Sequence, residues 1–190
     1  MLSSSVWRDR GKYGFSAGLL IGGVISALGI MLVGSLLRWP LPVPVAAGLV
    51  IAWTAVILVR ELGLVSFALP QNARLVPETV FRHGPVLGPM QFGIEMGTGM
   101  RTFVTSGLPY ALLVALALVA DPWQALLAGL GFGAGRALMT LSSLGYGADA
   151  EWDDAWVAHQ RALHVALAAL YALATVVVLA GPLGIPGLGG

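Results

Sequence analysis

The chain has 190 residues, 57% hydrophobic and 10% charged, with a mean hydropathy of +0.86 and a formal net charge of +1. Soluble domains carry about 25% charged residues, so a surface this poor in charge belongs in lipid rather than in water. The chain has no cysteine, which excludes disulfides, thiolate metal sites, thiol–disulfide exchange and cysteine lipidation, and no basic cluster with interleaved aromatics points to nucleic acid.

The pattern predicts an all-α, polytopic transmembrane helical bundle of about five spans, forming a single membrane domain over residues 1–190. The start, MLSSSVWRDRGKYG, resembles a signal-peptide n-region. The apolar run that follows, Gly14 to Leu37, is too long for an h-region and ends without a small-x-small cleavage site. It is read as a retained first span. Gly18 and Gly22 form a GxxxG face within it, which lets another helix approach closely. Trp39 and the prolines Pro40, Pro42 and Pro44 make the turn into a second span, about Val45–Leu64. Arg60-Glu61 lies in its last third. Apolar residues continue to Leu69, which places the pair at or just below the interface, where snorkelling reduces its cost.

Pro70 to Pro89 is the longest polar connection, with a short surface helix expected over Pro77–Arg82. The third span, about Met90–Ala120, is long and broken or kinked. From Thr102 to Ala120 it has 19 residues without a charge, enough to cross about 30 Å of hydrocarbon. Gly97, Gly99 and Gly107 weaken it, and Pro109 frees the carbonyl of Thr105 if the helix is continuous. Asp121 and Pro122 suit the start of a fourth span, about Trp123–Leu144. An acidic loop, Gly145–Ala155, then leads to a fifth, about Ala158–Leu179. A fainter echo relates Tyr13-Gly14-x3-Gly18 to Phe92-Gly93-x3-Gly97, each opening a helical hairpin.

Orientation follows from the positive residues. With the N-terminus in the cytoplasm, that side receives Arg8, Arg10, Lys12, Arg60, Arg74, Arg82 and Arg161, and the other receives only Arg38. The expected location is the cell (inner) membrane, multi-pass, with the N-terminus cytoplasmic and the C-terminus outside.

Arg136 is the charge least explained by its surroundings, LAGLGFGAGRALMTLSSLGYGA. An arginine inside a span costs about 2.5–3.5 kcal/mol on insertion scales. It is either a structural arginine bonded to a neighbouring backbone or a contact for an anion or substrate. Along one straight third helix, Arg136 is level with Ser106 and Gly107, and Arg101 with Ser142. Glu95 then lies about 18 Å from the level of Arg136, so a Glu95–Arg136 pair needs the Gly93–Gly99 segment to fold back. Without that fold, Thr105 and Ser106 are the better partners. Glu95 is either a proton relay or an interfacial carboxylate paired with Arg101 or Arg82. The candidate binding residues are therefore Arg136, Arg101, Glu95, Thr105 and Ser106. His159 and His164 are five apart and share a face poorly, so no metal site is expected, and no cofactor.

FGIEMGTGMRTFVTSGLPY and GLGFGAGRALM resemble helices of the DsbD/CcdA-like superfamily and of the small MauE-like membrane proteins. The resemblance implies transmembrane electron or thiol carriage within an inverted three-plus-three arrangement of six helices. That family works through paired membrane cysteines next to prolines. This chain has none, so no redox residue carries over.

Two functions fit the pattern. One is a non-catalytic accessory or structural subunit of a larger membrane complex. The other is a small permease-like transporter with a solute or ion path at the broken third helix. The expected partners are the lipid bilayer and either other membrane subunits or further copies of the chain. No acid–base or nucleophile constellation predicts an enzyme.

Overall fold

The computed structural model describes residues 11–70, 83–99, 106–145 and 149–180, and among these every regular element is a helix. In chain order they are α1 Gly11–Arg38, α2 Val43–Glu61, α3 Leu87–Gly97, α4 Leu108–Leu118, α5 Pro122–Gly145 and α6 Asp149–Ala180. Four of them, α1, α2, α5 and α6, contain stretches long and apolar enough to cross a membrane. Large side chains on them stay uncovered by protein, among them Leu36, Leu138 and Leu170 at 77%, 64% and 62% exposed. Such surfaces suit hydrocarbon, and the chain is a multi-pass helical membrane protein.

The expected third span is broken into two helices of 11 residues each. Each is about 16 Å long, too short to cross alone. Gly99, at φ +72°, stops α3 in a left-handed conformation that side chains avoid. Pro109 lies in the first turn of α4, where no backbone donor is needed. It therefore starts a helix rather than kinking one, as a continuous span would have required.

Helix α2 ends at Glu61 although apolar residues run on to Leu69. Gly63, at φ +76°, follows the last turn, with Gly63 N–H bonded to the Arg60 carbonyl at 2.9 Å and Leu64 N–H to the Val59 carbonyl at 3.1 Å. This is a Schellman stop, and it leaves Leu62–Pro70 non-helical. Helix α6 starts earlier than expected. Much of the acidic segment read as a loop is its first two turns. Trp152 and Trp156 stack there at 6.2 Å, one turn apart. The surface helix expected over Pro77–Arg82 lies outside the described residues.

Contacts divide the chain into two units. The first comprises Met1–Gly29, Gln71–Phe103 and Trp123–Ala158, and the second Ile30–Pro70, Val104–Pro122 and His159–Gly190.

The first unit is packed through glycine. Gly18 and Gly22 of α1 lie against the backbone of α3 at Met90 and Ile94, and Gly93 and Gly97 of α3 lie against Phe15 and Leu19. A Cβ at Gly97 would stand 2.5 Å from the Leu19 carbonyl oxygen. On another face of α1, Cβ atoms at Gly129 and Gly133 of α5 would meet the Gly23 and Leu19 carbonyl oxygens at 2.7 and 2.6 Å. The two halves of the sequence echo are thus facing contact surfaces. Ser26 donates to the Thr98 carbonyl at 3.1 Å. Phe15, Leu19 and Ala137 form the core, with Phe92 and Met96 against them.

In the second unit, Ala47 and Val50 of α2 cluster with Leu179 of α6 and with Val114, Ala115, Leu118 and Val119 at the end of α4. Arg38 donates to the Ala120 carbonyl at 2.7 Å, satisfying an acceptor just beyond that end of α4.

Candidate solute site at the amino end of α4

In the second unit a cluster of polar groups forms where α2 stops and α4 starts. The amino end of α4 has unpaired backbone N–H groups and a partial positive charge. Glu61, whose side chain is 6% exposed, supplies the counter-charge. Its Oε1 accepts from Gly107 N–H at 2.6 Å and from Arg60 Nη1 at 3.1 Å. Its Oε2 accepts from the Ser106 hydroxyl at 3.1 Å, and Ser106 Oγ in turn accepts from Leu108 N–H at 3.1 Å. Together Glu61 and Ser106 satisfy two of the free amides. A carboxylate this buried needs such partners, since an isolated one would be expelled or neutralised.

Arg60 is held on its other side by the Leu62–Pro70 segment. Its Nε donates to the Phe67 carbonyl at 3.1 Å, and its guanidinium lies 5.5 Å from the Phe67 ring centroid. The Tyr110 hydroxyl donates to the Pro70 carbonyl, and Trp53 Nε1 donates to the Tyr110 carbonyl at 3.1 Å. These bonds fold the segment back toward the start of α4. Beside it is a pocket of about 320 Å³ whose walls include Arg60, Glu61, Gly63, Val65, Phe67 and His164.

His164 arrives from α6. The covered positions of that helix include His164, Ala168, Tyr171, Thr175 and Leu179, at the spacing of one helical face. His164 meets the pocket, Tyr171 is the neighbour of Thr54 on α2, and Leu179 packs with Ala47 and Val50. The two helices therefore run antiparallel. The Thr54 hydroxyl is buried beside Tyr171 and has no partner at hydrogen-bond geometry among the described residues.

Of the residues singled out from the sequence, Ser106 belongs to this cluster and gives its hydroxyl to Glu61. Glu95 and Arg136 fall in the first unit, both half-buried. Thr98 Oγ1 donates to the Glu95 carbonyl at 2.7 Å, and the Arg136 guanidinium lies 5.7 Å from the Phe132 ring centroid. Arg101 and Thr105 lie outside the described residues. The offset of about 18 Å between Glu95 and Arg136 belongs to a straight third helix, and Thr98, Gly99, Ser106 and Gly107 are not helical. Ala137, next to Arg136, belongs to the cluster against which Phe92 and Met96, on either side of Glu95, pack.

Sequence reasoning missed Glu61, Arg60 and His164 as one site. Gly63, two residues past the charge pair, was the available signal, since a glycine there marks a helix end. Comparison with protein families, curated proteins and solved structures finds no match.

Proposed function

We propose that this chain is a small, non-enzymatic, permease-like membrane protein whose solute path passes the amino end of α4. The observation that supports it is the ion pair of the half-buried Arg60 with Glu61 at a helix break, facing a pocket of about 320 Å³. Interrupted helices are where membrane proteins expose backbone groups to solutes, and intramembrane charges mark the same places. In the expected orientation, with the N-terminus cytoplasmic, this pocket opens on the cytoplasmic side. The DsbD/CcdA-like resemblance enters only as a proposal about helix arrangement, because its thiol chemistry has no atoms here.

The test is iso-osmotic swelling of proteoliposomes containing the purified chain, with organic anions, organic cations and neutral solutes compared in turn. Solute-selective swelling, lost in Glu61→Leu, is the expected result. No swelling with any solute class sinks the proposal.

The accessory-subunit reading is favoured by a different observation. Only 11% of the apolar window of α6 is buried within the chain, against 33% for α1. A helix so little covered has room for a partner helix as well as for lipid. Stoichiometric co-purification of another subunit in mild detergent, with no swelling activity, would select this reading.

A further inference from the structure

We propose that the pocket beside α4 binds a small organic carboxylate, held by Arg60 and His164. This rests on the permease-like reading, whose solute it names.

Glu61 already takes three donors on its two oxygens, from Gly107, Arg60 and Ser106. It has little left to offer a cation. Arg60 carries five N–H groups and uses one on Nε and one on Nη1. Its Nη2 has no partner among the described residues, although the side chain is 23% exposed and lines the pocket. His164 and Ser66, also in the wall, make no hydrogen bond to any described residue. The unspent capacity therefore includes a guanidinium edge, an imidazole and a hydroxyl.

A guanidinium matches the two oxygens of a carboxylate, and the Nε bond to the Phe67 carbonyl restrains it at the pocket wall. The charge of Arg60 is shared with Glu61, while the positive end of α4 lies behind Glu61 and offsets the carboxylate already there. The rest of the wall, Gly63, Val65 and the Phe67 ring, is apolar. That suits an organic tail better than a bare inorganic ion. The volume, about 320 Å³, is at the lower end of small-molecule pockets.

The experiment uses the full chain in phosphatidylcholine nanodiscs, with calorimetric titration of benzoate, butyrate, inorganic phosphate and choline. Saturable binding of benzoate or butyrate is expected, with no binding of choline. Arg60→Lys keeps a cation beside Glu61 but lacks the planar fork, and weakens binding tenfold or more. His164→Leu keeps an apolar side chain of similar size on the pocket wall and weakens binding severalfold. Failure of both carboxylates to bind the wild-type chain overturns the proposal, as does equal affinity in both variants. Tighter binding of phosphate, or loss of benzoate binding when phosphatidylglycerol is added to the discs, also overturns it by assigning the pocket to phosphate or to a lipid headgroup. Carboxylate binding without liposome swelling upholds this site and removes the permease reading. Swelling with cations alone, without carboxylate binding, does the reverse.

Discussion

Glu61 reaches across from the end of α2 and accepts the Gly107 N–H at 2.6 Å, so one helix supplies the capping charge of another. Capping residues ordinarily precede the helix they cap. Here the cap is 46 residues earlier in the chain. The position of α4 is thereby tied to the end of α2.

Replacing that carboxylate by its amide tests the tie. Glu61→Gln keeps the shape but removes the charge, leaving Arg60 without its counter-ion. Hydrogen bonds to charged groups contribute about 1.5–3 kcal/mol, and a loss of that size is expected. Ser106→Ala, which removes a neutral donor, should cost about 1 kcal/mol. Both are read by SDS titration in mixed micelles. Equal, negligible losses would show that the cluster does not hold α4.

Glycine packing in the first unit predicts opposite outcomes for neighbouring glycines. Gly93→Ala and Gly97→Ala push a methyl into the α1 backbone and should destabilise by about 1–3 kcal/mol or more. Gly131→Ala and Gly135→Ala meet nothing within 4 Å, and a helical glycine costs about 0.5–1 kcal/mol relative to alanine. These two should be neutral or slightly stabilising. Thermal melting in detergent distinguishes the pairs.

Most of this architecture was legible in the sequence. Runs of about 20 apolar residues have few alternatives to spanning helices, and Gly99 and Pro109 marked the break. The site was less legible. Arg60 and Glu61 are adjacent and opposite in charge at the end of a span, a pattern that an interfacial pair also produces. Their role depends on Gly63 turning the chain and on Phe67 and Tyr110 holding it back, and those are tertiary contacts. In the sequence His164 stands out only beside His159, five residues away, with which it shares a face poorly. Its spacing of seven from Tyr171 and eleven from Thr175 would have placed all three on one helical face.

Arg136 provides a separate test. Arg136→Leu should abolish activity or assembly, because a half-buried arginine kept in an apolar span at a cost of about 2.5–3.5 kcal/mol is there for a specific contact. Arg74→Leu, in the polar connection, should be mild. Equal tolerance of both in the swelling and co-purification assays removes Arg136 from the functional argument.

Topology can be read without background labelling, because the chain has no cysteine. Single cysteines at Ser4 and at Gly189 should react with membrane-impermeant maleimide from opposite sides of the membrane. Gly189→Cys should label in intact cells or spheroplasts, and Ser4→Cys only after permeabilisation. Both ends reacting from one side would require a different number of crossings.

The shortness of α4 bears on how the protein is made. An apolar segment of about 16 Å is a poor substrate for lateral release from a translocon by itself. Synthesis delivers α2, with Glu61 at its end, before α4 leaves the ribosome. A waiting carboxylate then receives the amides of the late segment, so the order of translation is also the order in which its membrane insertion becomes favourable.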